Sequence, residues 1–366
     1  MSRLPFFDYA DRIQRLKILM EARGVGALML SVGADLPYFT GYEAMPLERL
    51  TMLVVPLDGA PVLVVPRLEA PRVDDQSGFE IRAWDETEDP VALSVRLAGS
   101  VARIALGDTT WSTFLLQLQA LLPDALFEDA SALTRELRMR KEPDEIRYLR
   151  EAAEATDRVV IRLESTQFSG RSEADLAAEV RLMTIEEGHD IATFDIVGSG
   201  PNAASPHHEP TNRIIEQGDT VVVDFGGRHR GYCSDTTRTF SIGDPRPEVA
   251  AAYEVLQTAQ AAGRAAVAPG ASAASVDLAT RRVIDEAGYG HLFVHRTGHG
   301  IGLEAHEHPY LVAGNDLPLE AGMTFSIEPG IYQPGEWGMR IEDIVVCGES
   351  GVDELNRSAR HLRVVG

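Results

Sequence analysis

Thr220-Val221-Val222-Val223-Asp224-Phe225-Gly226-Gly227-Arg228-His229-Arg230-Gly231-Tyr232-Cys233-Ser234-Asp235-Thr236-Thr237 takes an apolar strand into an acid, then a glycine-containing turn, then a second acid at the head of another strand. A carboxylate at the end of an apolar strand is costly if it is buried alone. Asp224 and Asp235 are symmetric about the midpoint of His229 and Arg230. A hairpin turning there pairs them directly, with Cβ atoms about 5 Å apart on one face. Carboxylates that close repel unless they share a proton or a cation.

The pattern recurs downstream. Phe325-Ser326-Ile327-Glu328-Pro329-Gly330 ends one apolar strand, and Met339-Arg340-Ile341-Glu342-Asp343-Ile344 begins another. Glu328 and Glu342 are symmetric about Gly335. Either pair alone is weak evidence, because facing acids on an exposed hairpin are only mildly destabilising. Histidines strengthen the case, since His291, His295, His299, His306 and His308 all fall between the two pairs. His299 sits in Thr297-Gly298-His299-Gly300-Ile301-Gly302, where flanking glycines let the backbone approach a neighbour closely. The glycine spacing does not match a dinucleotide fingerprint. Four carboxylates and one imidazole make an oxygen-rich, fairly hard ligand set, suited to Mn²⁺ with Co²⁺, Fe²⁺ and Zn²⁺ as competitors. Two ions held by shared carboxylates sit about 3.5–4 Å apart, with a water between them acidic enough to attack a carbonyl as hydroxide.

The rest of the chain reads as alternating helix and strand. Residues 8–23 form a helix stopped by Gly24, and 27–30 and 103–106 read as short strands. The runs 53–56 and 62–65 flank a turn as a hairpin. This first part is a small α/β domain of residues 1–135, and a polar join leads into a second domain of residues 136–366. Helices are expected at 144–166, 172–187, 247–266 and 274–287, and strands at 193–198, 220–225, 235–242, 292–297, 323–328 and 341–347. No short-period repeat is visible, and the sequence alone does not relate the two halves of the second domain.

Composition narrows the partners. With 56 acidic against 34 basic residues and a net charge of −22, neither nucleic acid nor an anionic membrane is expected. Two cysteines make no disulfide framework. No apolar run approaches a membrane span, and Met1–Asp8 lacks a signal-peptide core, so a cytoplasmic protein is expected.

The segments Gly198-Ser199-Gly200-Pro201-Asn202-Ala203-Ala204-Ser205-Pro206-His207, Val223-Asp224-Phe225-Gly226, Ser234-Asp235-Thr236-Thr237-Arg238, His295-Arg296-Thr297-Gly298-His299-Gly300, Ser326-Ile327-Glu328-Pro329-Gly330 and Arg340-Ile341-Glu342-Asp343 resemble the Xaa-Pro peptidases. These are aminopeptidase P and prolidase. The resemblance implies a creatinase-like N-terminal α/β domain followed by a pita-bread catalytic domain, and a homodimer. It implies a dinuclear site, often Mn²⁺, on Asp224, Asp235, His299, Glu328 and Glu342, with Asp235 and Glu342 bridging. It implies that Glu328 handles the proton of the attacking water. It places His207, His295 and His306 on substrate and transition state, with Tyr332 and Arg340 beside the ligands. The substrate class is proline-containing peptides. An Xaa-Pro bond is a tertiary amide with no N–H to donate, which defeats peptidases that read that proton.

Many prolidases carry an arginine that holds the dipeptide's free carboxylate, and this chain has Tyr310 there. The expectation therefore leans to an Xaa-Pro aminopeptidase cutting with a metal-bridging hydroxide, with prolidase as the alternative and Arg213 as one substitute clamp. A non-peptidase hydrolase or lyase on the same fold is the more distant rival. His208, His229, His291, His308 and His361 read as surface or supporting residues.

Overall fold

The C-terminal part of the chain twice makes two helices followed by antiparallel strands, and each time a later strand carries an acid within it or just past its end. The computed structural model describes residues 5–74 and 78–366, so Met1–Leu4 of the N-terminal segment lie outside the described residues. Contacts divide the chain into two units at Arg138 and Met139.

The N-terminal unit is built on a six-stranded sheet in the order Glu80–Trp84, Val62–Pro66, Met52–Pro56, Ala27–Leu30, Arg103–Leu106, Leu126–Asp129. Ala27–Leu30 lies inside it, antiparallel to one neighbour and parallel to the other, and all four residues are buried. Apolar on both faces, it reads as a continuous hydrophobic run. The expected hairpin forms with Leu53 opposite Leu63. Gly24 ends the helix Tyr9–Arg23 at φ 67°, a left-handed cap that glycine adopts without penalty.

In the C-terminal unit, helix Pro143–Leu163 starts with proline at its first position, and so does Pro247–Ala265. The second helices, Glu173–Glu186 and Ala273–Glu286, are each capped by a serine, Ser172 and Ser272. Each serine bridges an incoming segment, Ser172 to Ile214 and Ser272 to Pro318. The strands that follow, Thr220–His229 and Thr324–Ile327, begin at an equal offset of 104 residues, taken as 324 minus 220. Asp224 and Glu328 keep the same offset. The two halves are thus a structural repeat, and each supplies one pair of acids. Among the described residues the strands of this unit form two five-stranded sheets and one two-stranded sheet: one contains Thr220–His229 and Thr236–Ile242, another Gly298–Gly300, Thr324–Ile327 and Asp343–Gly348, and the third pairs Gly330–Gln333 with Trp337–Arg340. Among the described residues no helix is long and apolar enough to cross a membrane.

The first hairpin turns one position later than the sequence symmetry suggests. His229 pairs with Tyr232, and Asp224 pairs with Thr237 rather than Asp235. Arg230 and Gly231 form the turn, both with positive φ (51° and 87°). A tight two-residue turn needs that conformation at both central positions, and glycine supplies the second at no steric cost. Moving the centre by one residue shifts the register by two, so Asp235 stays on the face of Asp224 but lies diagonal to it. The second hairpin keeps its expected centre, with Ile327 opposite Asp343 and Gly330 opposite Arg340, both symmetric about Gly335. Between these ladders Glu342 leaves the hairpin, and its N–H donates to Thr237 O at 3.1 Å.

One expected strand does not form as read. Leu292 closes a 3-10 turn, residues 293–297 are irregular, and the strand is Gly298–Gly300. The carbonyls of Phe293 and His295 accept from the Arg281 side chain, so no strand partner takes them.

Candidate metal centre

His299 occupies the middle of a three-residue strand squeezed between two others. A Cβ on Gly298 would lie 1.9 Å from Ser326 O, and one on Gly300 2.2 Å from His308 O. Only glycine permits that approach, which is why the histidine is flanked by two of them. His299 Nδ1 faces Gly300 O at 3.1 Å, so the N–H sits on Nδ1 and the Nε2 lone pair points at the acids. Nε2 lies 3.3 Å from Glu328, 3.6 Å from Asp235 and 4.0 Å from Glu342. Burial, then neighbouring His306, pushes the His299 pKa down to about 3, so the ring stays neutral and ready to ligate.

The four acids converge from both halves. Ligand atoms of Asp224, Asp235 and Glu342 lie within 4.8 Å of one another, as do those of His299, Glu328 and Glu342. A third such group joins Asp235 and His299 to His306. Burial pushes Asp235 and Glu342 well above the ordinary carboxylate range, and repulsion among the acids adds to it. Glu328 is raised by burial, partly relieved by Arg340, to about 7. Asp224 Oδ1 and Glu342 Oε1 are buried with no hydrogen-bond partner. Buried acceptors are almost always satisfied, so two orphans on converging carboxylates are the mark of a cation site. The donor set fits divalent ions.

Supporting contacts fix the acids' other oxygens. Arg340 donates to Asp224 Oδ2 at 2.6 Å, Thr237 Oγ1 to Glu342 Oε2 at 2.8 Å, and Ser326 Oγ to Glu328 Oε1 at 3.2 Å. Arg340 also donates to the Tyr332 hydroxyl at 2.8 Å, which in turn lies 2.9 Å from His295 Nε2. Burial and Arg340 push His295 down to about 4, so it accepts from a phenol that burial holds protonated up to about 12.

These residues line a cavity of about 920 Å³, room for a small peptide. His207, His295, His306, Glu328 and Arg340 all face it, together with Asp224, Asp235, His299 and Glu342. Tyr332 stands behind His295 and Arg340. Phe194, Ile196 and Val294 supply apolar wall that no sequence motif marked. Arg296 was also missed as a site residue, although it stands inside the His295–His299 motif. It lines the cavity, and its guanidinium stacks 4.4 Å over the Tyr310 ring. Arg213, the substitute clamp expected from sequence, is instead paired with Asp219 at 2.6 Å and does not line the cavity.

Loading the centre should expel protons. Glu328 at about 7 is largely protonated in the metal-free protein at pH 6. Ligation requires the carboxylate form, so Mn²⁺ binding at pH 6 is expected to release protons and to tighten as pH rises to 7.5. Titration calorimetry in two buffers of different ionisation enthalpy reads this; buffer-independent heats at pH 6 would refute it.

The model of metallopeptidase family M24 matches residues 147–349, and that of the Creatinase/Prolidase N-terminal domain matches residues 12–140. A probable dipeptidase PepE of Mycobacterium tuberculosis is 46% identical over 363 residues, spanning 98% of this chain and 96% of that protein. An Xaa-Pro dipeptidase of Lactobacillus helveticus is 36% identical, spanning 90% of this chain and 92% of its own. The crystal structure of a prolidase from Thermococcus sibiricus superposes with a TM-score of 0.93 at 35% identity, covering 99% of this chain and 100% of the other. This chain therefore belongs to metallopeptidase family M24, among the Xaa-Pro peptidases, with a creatinase-type N-terminal domain followed in sequence by a pita-bread catalytic domain.

Proposed function

We propose that this protein is an Xaa-Pro dipeptidase working with two divalent ions, Mn²⁺ foremost, as a homodimer. The carrying observation is Arg296, a cavity-lining guanidinium stacked on Tyr310, the residue that stands where an arginine clamp was expected. A guanidinium there meets a free α-carboxylate in the paired geometry that planar donors favour. This reverses the lean toward an aminopeptidase, which rested on Tyr310 alone. The dipeptidase names of full-length relatives favour the same alternative.

In this reading Asp224, Asp235, His299, Glu328 and Glu342 would hold the ions, Asp235 and Glu342 each belonging to two of the converging ligand groups. When bound, the ions supply an acidified water and polarise the scissile carbonyl. Glu328 is the most reachable of the acids facing His299, with 15% of its side chain exposed against 2% for Glu342. That suits it to take and return the water's proton. His207 and His306 reach the cavity as donors to the substrate. His295, with both ring nitrogens engaged by Arg296 O and Tyr332, braces the carboxylate clamp.

The test compares Xaa-Pro dipeptides with Xaa-Pro-Yaa tripeptides in Mn²⁺. Dipeptides should be the better substrates, and a preference for tripeptides would restore the aminopeptidase reading. No turnover of either would favour a non-peptidase hydrolase. Arg296→Met should raise KM for dipeptides roughly 10–100-fold, since hydrogen bonds to charged groups contribute about 1.5–3 kcal/mol. Unchanged KM would remove Arg296 from the clamp.

A further inference from the structure

Glu173 is the first residue of helix Glu173–Glu186, and its side chain is fully buried. Its carboxylate is spent on the loop that carries His207. Oε1 accepts from Ser199 N at 2.8 Å, Ser199 Oγ at 2.7 Å and Asn202 Nδ2 at 3.1 Å. Oε2 accepts from Thr211 Oγ1 at 2.7 Å and Thr211 N at 3.1 Å, and pairs with His208 Nε2 at 2.9 Å. Burial alone would raise this acid, but the bonds from Thr211, Ser199 and His208 outweigh it and bring the pKa down to about 2. The group is therefore a carboxylate throughout the working pH range.

The donors bracket His207. On its far side, Pro206 O accepts from Arg340 Nη1 at 3.2 Å, and Arg340 also holds Asp224. The residue before His207 is thus tied to the site and the residue after it to Glu173. Residues 206–211 belong to no helix or strand. His207 itself is exposed and lines the cavity, and Glu173 does not touch it.

We propose that Glu173 is a positioning residue for substrate capture, clamping the 199–211 loop so that His207 is held over the cavity. This rests on the reading of His207 as a substrate-facing donor. A glutamine cannot replace the carboxylate, because its amide nitrogen would confront donors where an acceptor is needed. A loosened loop lets His207 wander, and misplacement by about 1 Å costs on the order of 100-fold in rate.

The experiment is a double-mutant cycle on Mn²⁺-loaded protein with an Xaa-Pro dipeptide, using Glu173→Gln and His207→Ala singly and together. Glu173→Gln should lower kcat/KM by about 100-fold at unchanged metal content, since no expected ligand sits on the loop. In the His207→Ala background the same change should cost little more. An equal loss in both backgrounds would overturn the proposal, because a structural defect does not act through His207. Amide exchange over 199–211 should speed up in Glu173→Gln, and wild-type exchange there would also overturn it. That exchange reads the clamp without turnover, so a wild-type chain inert on dipeptides fails the dipeptidase reading separately. If Glu173→Gln does not fold, Thr211→Val removes one hydroxyl donor and should show the same dependence on His207 at smaller size.

Discussion

Glu342→Ala is expected to reduce Xaa-Pro hydrolysis by more than about 100-fold, because losing merely the outer partner of a metal ligand already costs 10–100-fold. Glu342 accepts from Thr237 with one oxygen and directs an unpartnered buried oxygen into the centre with the other. If Glu342 serves both ions, its loss removes an anionic ligand from each, and a neutral water in its place does not restore that charge. The metal-free fold should survive. Glu328 and Asp224 push Glu342 far above the ordinary carboxylate range once burial has raised it, so the acid is a repulsive member of its own cluster. Removing it relieves that repulsion, and metal-free melting should be unchanged or higher, as where function is carried by a strained, destabilising site. Metal titration and melting curves on one preparation decide this. Retained hydrolysis would remove Glu342 from the ligand set, and collapse of the metal-free fold would show its role to be structural.

Arg238→Met should carry the largest stability cost in the C-terminal unit. Arg238 is 1% exposed and pairs with Asp343, itself fully buried, at 2.6 Å. It also donates to the carbonyls of Thr237 and Glu342 and to Ser358, joining strands from both halves of the repeat. Breaking a buried pair by removing one partner typically costs about 3–5 kcal/mol, since the other charge is left behind. Arg360 and Gln260 also hold Asp343, which favours the lower end. Denaturant unfolding of the full chain should show the shift in the transition assigned to the C-terminal unit. A loss under 1 kcal/mol would refute the arrangement. Burial opposes ionisation of Asp343, yet Arg238 and Arg360 hold its pKa below the usual value. Its contribution is therefore complete above about pH 4 and is lost as pH falls below that.

Much of the site is legible from local pattern. An acid closing an apolar strand is a local conflict, and such conflicts concentrate at functional sites. Glycines around His299 announce a close approach before the neighbouring carbonyls are known. The repeat also leaves a trace, Glu216-x-Gly218-x-Thr220 with Asp224 and Gly226 against Glu320-x-Gly322-x-Thr324 with Glu328 and Gly330. Its period of 104 residues hides it from a search for short repeats.

Other parts are not written locally. The diagonal of Asp224 and Asp235 depends on which two residues of a glycine-containing turn take positive φ. The strand expected at 292–297 gives way because Arg281, from the helix just before it, takes its carbonyls. Arg296 looks like one more arginine until it is found stacked on Tyr310 at the cavity wall. His208 reads as a surface or supporting residue until Glu173, 35 residues earlier, is found against it. Sequence spacing alone was enough to single out the acids and the central histidine that the structure brings together, because strand periodicity and turn symmetry act over a few residues. Which arginine lines the cavity, and which buried acid bonds to Ser199 and Thr211, depends on side chains meeting between different elements, beyond the reach of strand periodicity. Each meeting lies within one half of the repeat, Arg296 with Tyr310 in the second and Glu173 with Ser199, His208 and Thr211 in the first, and exists only once that half has packed.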